Sequence, residues 1–224
     1  MPSLQRVVVI GAGGQARDTA WLIRELAAAG QPFVFMGFVV SDLSRLGERD
    51  AREQVLGDLS WLEAHAGEVD ALALGIGTPA ARTKLAGELS TAFPRLAWPS
   101  LVHPSAVFER SSAKVGRGAM IAAGVHGSVN LELADFALAN IGVTLGHEAS
   151  LGACSVVNHG ASISGGVRVG DSVLVGTGAR VLQYLSVGDG ATVGAGAVVT
   201  KDVLPGQLVV GVPAREFSRK GAQT

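Results

Sequence analysis

The chain has 224 residues, a net charge of -1 and only 5% aromatic residues. These totals exclude the strong basic field and the stacking platforms by which proteins bind nucleic acid, so we expect no nucleic-acid partner. The single cysteine, Cys154, makes an internal disulfide impossible and is typical of a reducing compartment. No signal peptide is recognisable, and no apolar run approaches the roughly 18 residues of a membrane span. We therefore expect a cytoplasmic protein with no membrane partner.

Two regions with different residue patterns meet near residue 100. The first has helix-like apolar spacing, whereas the second is rich in Val, Ile, Ala and Gly. Three prolines lie between residues 93 and 104, and proline interrupts regular elements because it fixes φ and lacks an N–H donor. The chain is therefore expected to divide into a first domain at 1–100, a second at 101–204 and a C-terminal tail at 205–224.

The first region alternates predicted strands and helices. Apolar runs at 6–10, 33–40 and 71–76 predict buried parallel strands. The helices are predicted at 18–28, 58–66 and 79–90. This order predicts a small parallel sheet covered by helices, that is, an α/β Rossmann-like domain.

A glycine-rich turn follows the first predicted strand. Gly11, Gly13 and Ala16 fit the G-x-G-x-x-G/A fingerprint, in which glycines let main-chain N–H groups approach a phosphate at a helix N-terminus. The first acidic residue after the second strand, Asp42, comes about 30 residues after the turn, later than the roughly 20 that NAD sites favour. A nucleotide-linked ligand is therefore a better expectation than a redox cofactor. A tight turn that binds no ligand is the alternative.

A six-residue period runs through the second region. From Val115 to Val199, thirteen of the fifteen positions at steps of six are Val, Ile or Leu. The pattern predicts a left-handed parallel β-helix of hexapeptide repeats, in which three hexads close each coil. The aliphatic residue then points inward, and the small residue that recurs four positions later fits a tight space. The glycine that often follows the aliphatic residue is expected to supply the unusual backbone angles of each corner.

The predicted β-helix leaves its ends and one flank exposed. Proteins cover such edges or oligomerise through them. Because a trimer fits a triangular prism best, we expect a homotrimer.

A His-Glu pair is the strongest candidate for chemistry in the second region. His147 lies two positions after the inward-pointing Leu145, so the pattern places it near a face or corner of the prism, and Glu148 follows directly. An imidazole suits a general base at neutral pH, and a carboxylate beside it fixes the tautomer and stabilises the imidazolium. An inert surface dipeptide is the alternative.

Metal and cysteine chemistry are weaker interpretations. Gamma-type carbonic anhydrases place three zinc-binding histidines on a β-helix, but the gaps from His126 to His147 and from His147 to His159 are 21 and 12 residues, which do not match stacked ligands. We therefore expect no metal. Cys154 has no obvious paired base, and small buried cysteines are common. The two remaining histidines, on a predicted surface helix and at the domain junction, are His65 and His103.

Two cations lie where prolines and glycines end the hexad pattern. Lys201 and Arg215 are close to this exit, and cations there suit the phosphates of a long cofactor. A solvated tail is the alternative.

Taken together, these features resemble the hexapeptide-repeat sugar acetyltransferases of the NeuD/PglD type, which acetylate nucleotide-linked amino sugars or sialic acid. The resemblance covers nearly the whole chain. Besides the hexads, the motifs that carry it are Ile10-Gly11-Ala12-Gly13-Gly14, the Gly77 loop, Val102-His103-Pro104-Ser105-Ala106, Gly146-His147-Glu148 and Val210-Gly211-Val212-Pro213-Ala214.

The resemblance implies a trimeric acetyl-CoA-dependent N- or O-acetyltransferase with active sites between subunits. His147 would be the general base and Glu148 would orient it, in a direct attack on the thioester without an acyl-enzyme. The expected acetyl-CoA contacts are Gly165, Thr177, Ala195, Lys201 and Arg215. The expected nucleotide-sugar contacts are Gly11, Gly13, Gly14, Gln15, Asp42 and Gly77.

Three departures from the family pattern leave the acceptor open. Gln15 stands where the family often has His, and Val156 stands where a second histidine follows the catalytic one. The family's acidic pair is Val40-Ser41 here, with Asp42 one step later. Two alternatives therefore remain: a sugar-nucleotide-binding or scaffold protein without activity, and an O-acetyltransferase that acts on a free sugar or another small molecule.

Overall fold

The computed structural model describes residues 4–217, which form an α/β unit followed by a parallel β-helix. The part of the predicted tail at 218–224 lies outside the described residues. In the α/β unit, four strands form one sheet in the order β3-β2-β1-β4, and all three strand pairs are parallel. The strands are β1 (Gln5–Ile10), β2 (Phe33–Val39), β3 (Val55–Gly57) and β4 (Ala71–Leu74).

Three α-helices and two short 3-10 helices complete the α/β unit. The α-helices are α1 (Gly14–Ala28), α2 (Leu59–His65) and α3 (Pro79–Ala92), and the 3-10 helices are Leu43–Arg45 and Arg52–Gln54. Each strand and helix predicted for this unit is confirmed, with bounds that differ by a few residues. Strand β3 was not predicted, because three half-buried residues are too few to show a period. Within residues 4–217, no helix combines the length and apolar character needed to cross a membrane.

The β-helix is built from two-residue strands joined by tight turns. A first strand, β5, is Leu101–Val102. Fifteen strands, β6 to β20, follow as Lys114–Val115, Met120–Ile121, His126–Gly127, Glu132–Leu133, Leu138–Ala139, Thr144–Leu145, Ser150–Leu151, Val156–Val157, Ser162–Ile163, Arg168–Val169, Leu174–Val175, Arg180–Val181, Ser186–Val187, Thr192–Val193 and Val198–Val199. The predicted tail contains two more strands, β21 (Leu208–Val210) and β22 (Arg215–Glu216), which extend one face of the β-helix.

The predicted register of the hexads is confirmed. Each strand pairs in parallel with the strand three hexads later, so that Leu145 lies beside Ile163 and Val157 beside Val175. The aliphatic residue of the hexad is the inward residue of each strand, and stacked copies form one continuous core. The small residue four positions later is also buried, as at Ala161.

The expected role of the glycine after the aliphatic residue is wrong. Positive φ occurs three positions after the aliphatic residue, for example at Gly178 with φ 67°, and not at Gly146 or Gly152. A β-carbon at Gly146 would collide with the main chain of Gly165 in the next coil. These glycines therefore allow neighbouring coils to approach closely. The corners are formed by the separate column of residues with positive φ.

The residues with positive φ stack into three corners, which we name by what they carry. The glycine corner consists of Gly124, Gly142, Gly160, Gly178 and Gly196. The histidine corner consists of Asn130, Glu148, Gly166 and Tyr184. The docking corner, which lies against the α/β unit, consists of Gly118, Phe136, Cys154, Ser172 and Gly190.

Helix α3 joins the α/β unit to the docking corner. The Arg82 side chain is completely buried, and its guanidinium donates hydrogen bonds of 2.7 Å to the carbonyl oxygens of Phe136 and Ile76. Burial lowers the pKa of Arg82 to about 10, so the group keeps its charge at neutral pH. Beside it, the Thr83 and Ser172 hydroxyls lie 2.7 Å apart. A buried cation thus holds the two regions together through main-chain oxygens.

Candidate active site

His147 and Glu148 occupy the turn after the strand Thr144–Leu145, at the histidine corner. Their side chains are 50% and 60% exposed, and His147 Nδ1 lies 3.5 Å from Glu148 Oε2. This distance is at the outer limit for a hydrogen bond, so the carboxylate lies beside Nδ1 without a short hydrogen bond to it. The main chain fixes the turn, because Glu148 N donates to Val129 O at 2.9 Å and Gly166 N donates to His147 O at 2.8 Å. An exposed imidazole therefore has one nitrogen beside a carboxylate and the other directed elsewhere.

The second nitrogen of His147 lies over the next coil. A β-carbon at Gly165 would collide with Nε2 and the two ring carbons beside it, so the imidazole fits only above a glycine. The Tyr184 ring, one coil further, is 6.3 Å from the imidazole between centroids and is inclined at 59° to it. Such a separation is within the range of contacting aromatic rings. The Nε2 side of His147 is therefore bounded by Gly165 below and by Tyr184 beyond.

The three expected acetyl-CoA contacts in the hexads lie at two different corners. Gly165 belongs to the turn of His147, whereas Thr177 and Ala195 stack in the turns of the glycine corner. Within one chain the structure does not bring these residues together. In the described residues, the main-chain N–H groups of all three make no hydrogen bond. Thr177 and Ala195 are exposed, so their N–H groups are free donors at outward-facing turns, whereas Gly165 is buried against the His147 ring.

The docking corner shows that free N–H groups are not general in these turns. There, Asp171 accepts from Ala153 N at 2.7 Å and Asp189 accepts from Asp171 N at 2.9 Å. Asp135 likewise accepts from Arg117 N at 3.1 Å. Aspartates thus satisfy the equivalent donors at the corner that faces the α/β unit, whereas the exposed donors at Thr177 and Ala195 stay available to a ligand and the Gly165 N–H lies beside the His147 ring.

The structure brings Lys201 and Arg215 together. Both exposed cations line one cavity at the C-terminal end of the β-helix, with Asp202 and Glu216 on its rim. Lys201 also belongs to the same corner as His147, because the strand before it, Val198–Val199, pairs with Arg180–Val181. The carboxylates reduce the net positive charge of this cavity, but the two cations are the groups that suit phosphate.

The glycine turn has the geometry expected after β1. Gly11 has φ 105°, which favours glycine, and its N–H donates to Val39 O at 2.8 Å. Gly13 is the N-cap of α1 and Gly14 is its first residue. No side chain caps this helix, so the first N–H groups of α1 are directed at the space beside the turn.

Asp42 lies in a cavity beside the glycine turn. The cavity lies at the carboxyl ends of β1 and β2 and is also lined by Gly11 and Arg45. Ser44 donates to Asp42 Oδ1 through its N–H (2.9 Å) and its hydroxyl (2.6 Å), and these hydrogen bonds hold the pKa of the Asp42 carboxyl below its usual value. The second carboxylate oxygen is left for a ligand. Sequence reasoning missed Arg45, which adds a cation suited to a phosphate or a base edge.

Gln15 and Gly77 lie on the side of the turn that faces the β-helix. Asn140 Nδ2 donates to Gln15 Oε1 at 3.2 Å, and that oxygen would be 3.7 Å from a β-carbon at Gly77. Asn140 is 2% exposed and lies one hexad before His147. The six expected nucleotide-sugar contacts therefore surround one glycine turn, with Asp42 on one side and Gln15 on the side towards the β-helix.

His103, His65 and Cys154 have surroundings that do not favour chemistry. His103 is buried, and its Nδ1 accepts from Ser105 N at 3.0 Å. His65 stacks on Trp61 with ring centroids 4.4 Å apart. Burial raises the pKa of the Cys154 thiol, which keeps it protonated. Over residues 4–217, no three His, Cys, Asp or Glu side chains are grouped so that they could hold a metal ion.

Comparisons with known proteins identify relatives of the whole chain. No protein-family model and no curated protein sequence matches it. Among solved structures, perosamine N-acetyltransferase from Caulobacter crescentus, in complex with CoA and GDP-perosamine, is 30% identical with a TM-score of 0.83, and the match covers 96% of this chain and 98% of that chain. The acetyltransferase domain of PglB from Neisseria gonorrhoeae, in complex with acetyl coenzyme A, is 29% identical with a TM-score of 0.82 (96% and 100% covered). WeeI from Acinetobacter baumannii is 26% identical with a TM-score of 0.78 (94% and 99% covered).

The fold, the histidine corner and these matches define a class, the parallel β-helix acyltransferases. Within that class the match extends over the α/β unit as well as the β-helix, at 30% identity over almost the full length of both chains. The chain belongs to the hexapeptide-repeat sugar acetyltransferases of the NeuD/PglD type.

Proposed function

We propose that this protein transfers an acetyl group from acetyl-CoA to the amino group of a nucleotide-linked sugar, with His147 as the general base. The observation that carries the proposal is the histidine corner, where a half-exposed imidazole has a carboxylate at Nδ1 and its Nε2 lies over Gly165. This arrangement suits the removal of a proton from an incoming nucleophile.

The chemistry requires three acts from this chain. His147 Nε2 accepts the proton that the attacking amine loses as its nitrogen bonds to the thioester carbonyl carbon. Glu148 stabilises the resulting imidazolium across the 3.5 Å contact. The free N–H of Gly165 donates to the carbonyl oxygen as negative charge develops there. Breaking the carbon–sulfur bond then releases CoA, whose sulfur takes up the proton held by His147.

A trimer is part of the proposal. Gly165 lies in the turn of His147, whereas the free donors at Thr177 and Ala195 lie at another corner of the same chain. If the histidine corner of one subunit faces the glycine corner of the next, all three donors line one groove. The bare glycine corner, where positions such as Gly160 and Gly178 carry no side chain, allows such a close approach.

The proposed division is a Rossmann-like domain at 1–100 and a left-handed β-helix at 101–204. The Rossmann-like domain is proposed to hold the nucleotide sugar. The uncapped N-terminus of α1 suits the diphosphate, and Asp42 with Arg45 suits the base or ribose. Gln15 lies between this site and the β-helix and is the group nearest the expected path of the sugar. In support, structures of perosamine N-acetyltransferase with CoA and GDP-perosamine include variants in which one histidine is replaced by Asn or Ala.

The test measures CoA release from acetyl-CoA with GDP-, UDP- and dTDP-linked amino sugars. We expect turnover with one acceptor, and a loss of about 100-fold or more in His147→Ala, as the removal of a general base predicts. The matched control is His65→Ala, which removes a histidine stacked on Trp61 in the other region and should keep the wild-type rate.

Other outcomes distinguish the alternatives. If the wild type binds acetyl-CoA but acetylates only hydroxyl groups of free sugars, the enzyme is an O-acetyltransferase with a different acceptor. If acetyl-CoA does not bind, a sugar-nucleotide-binding or scaffold protein is the better interpretation. A His147→Ala variant as active as the wild type would exclude His147 as the base.

A further inference from the structure

Tyr184 has a conformation that tyrosine rarely adopts. Its φ is 60°, in the left-handed region, where a bulky side chain is strained. It is also the only tyrosine of the chain, and it is 70% exposed. Among residues 4–217 its hydroxyl makes no hydrogen bond with a side chain or with the main chain.

The neighbouring coil is shaped to receive the Tyr184 ring. A β-carbon at Gly166 would collide with Cδ1 and Cε1 of the ring, so one edge of the ring packs against the glycine of the preceding coil. The backbone is held there by a hydrogen bond of 2.9 Å from Tyr184 N to Gly165 O. An exposed aromatic face is thus fixed beside the main chain of Gly165.

Tyr184 lies between the reaction end and the phosphate end of the expected donor site. Four strands of one sheet, Thr144–Leu145, Ser162–Ile163, Arg180–Val181 and Val198–Val199, pair in succession. Their following turns carry His147, Gly165, Tyr184 and Lys201 in that order. Because neighbouring strands are about 4.8 Å apart, Gly165 and Lys201 are separated by roughly 10 Å along this corner. A donor with its thioester at Gly165 and its phosphates at Lys201 has to pass the exposed ring.

We propose that Tyr184 binds the flexible arm of the acyl-CoA donor that connects the thioester to the nucleotide. The inference rests on the proposed function and adds a donor-binding residue to it. The arm is a chain of methylene and amide groups, and an aromatic face held in a fixed orientation buries such a chain at little cost in side-chain entropy. Tyr184 therefore sets the affinity for CoA and leaves the affinity for the nucleotide sugar unchanged.

The first experiment uses the wild-type protein and exploits the single tyrosine. Tetranitromethane nitrates exposed tyrosines, and mass spectrometry of the peptide gives the rate for Tyr184 alone. Saturating CoA is expected to slow this nitration at least several-fold. A rate that does not change with CoA, or a ring that is not nitrated even without CoA, overturns the proposal.

A matched set of variants measures the size of the contact. Tyr184→Asn should bind CoA about tenfold more weakly by calorimetry, the effect of losing one buried apolar contact. Asparagine tolerates positive φ, so this variant should keep the wild-type unfolding temperature. Tyr184→Phe keeps the ring and should bind as the wild type does. Leu204→Ala, which removes an exposed apolar side chain from a different turn, is the control and should also bind normally.

The two proposals fail in different ways. If CoA does not bind the wild type, the proposed function and this inference both fall. If CoA binds the wild type and Tyr184→Asn equally well, only the inference falls. A higher KM for the sugar with unchanged CoA affinity would place Tyr184 at the acceptor and overturn its assignment to the donor arm.

Discussion

The two regions of this protein are both built on parallel strands, but they bury them differently. In the β-helix, the strands from Lys114–Val115 to Val198–Val199 are each two residues long and pair with strands three hexads away, so one rule repeats along the chain. In the α/β unit, strands of three to seven residues pair in the order β3-β2-β1-β4, and the connecting helices cover the sheet. The α/β unit therefore depends on particular glycines and caps in the turns between its elements. The β-helix depends on the same few residue types at fixed positions.

The difference teaches where each region has room for function. In the repeat, the core and the corners are both prescribed, and chemistry is confined to side chains and free N–H groups at exposed turns such as that of His147. In the α/β unit, candidate ligand groups gather at the carboxyl ends of the strands, as expected for open parallel sheets. Substitutions at the junction of the two regions, and within each region, test this difference between the β-helix and the α/β unit.

The largest expected effect is at the junction of the two regions. In Arg82→Met, the carbonyl oxygens of Phe136 and Ile76 lose their buried donors. We expect the free energy of unfolding to fall by about 3 kcal/mol. Chemical denaturation followed by tryptophan fluorescence, to which Trp98 on Phe136 contributes, measures the change. Lys84→Met, which removes an exposed cation from the same helix, should stay within about 0.5 kcal/mol of the wild type. Equal stability of both variants would show that the arginine does not join the regions.

A glycine-to-alanine exchange is expected to lower activity in the β-helix and to raise stability in the α/β unit. Gly165→Ala places a methyl group against the His147 ring and should lower kcat/KM by about 100-fold, or about 2.7 kcal/mol of transition-state stabilisation. Gly87→Ala, in the interior of α3 with open space around it, should instead stabilise the protein by about 0.5–1 kcal/mol with normal activity. Steady-state kinetics and thermal unfolding of the two variants check both. Full activity in Gly165→Ala would show that the His147 ring does not need its position over Gly165 for catalysis.

The smallest expected effect is acid sensitivity of the α/β unit. Arg6 donates to Asp70 at 2.9 Å, and these hydrogen bonds lower the pKa of Asp70 to about 2 from 3.8. Because the folded state holds this proton more weakly, the stabilisation is present above about pH 4 and is lost as pH falls towards 2. Both side chains are more than a third exposed, so solvent screening limits the contribution to about 1 kcal/mol or less. Asp70→Asn should therefore reduce the loss of stability between pH 4 and pH 2, to which Glu109 also contributes because its pKa is likewise lowered to about 2. Acid titrations of both proteins by circular dichroism measure this loss, and an equal loss in the two would exclude a contribution from the Arg6–Asp70 pair.

The β-helix illustrates how far a periodic sequence determines its structure. The inward residue, the small buried residue and the three-hexad register were all predicted and are confirmed. The assignment of the corner angles failed because two columns of glycine serve different purposes. Those after the aliphatic residue allow coils to approach, and those three positions after it take positive φ. Composition alone does not separate the two purposes.

The candidate site was predictable only where its residues are neighbours in sequence. His147 and Glu148 are adjacent, so their contact follows from the pattern. Asn140 and Gln15 are 125 residues apart and Arg82 and Phe136 are 54 apart, and no sequence signal links either pair. Tyr184 lies in no motif, and its relation to His147 follows only from stacking two coils of the β-helix. The roles of the predicted site residues stay predictions.

By itself, the sequence determined three strands and three helices of the α/β unit and the repeating coil, because each depends on apolar periodicity and on contacts at fixed spacing. The tertiary structure alone decided which aromatic ring lies beside His147 and which buried cation joins the docking corner to the α/β unit. Those choices depend on how stacked turns and two packed regions bring distant residues together, and such long-range packing has no fixed spacing along the chain.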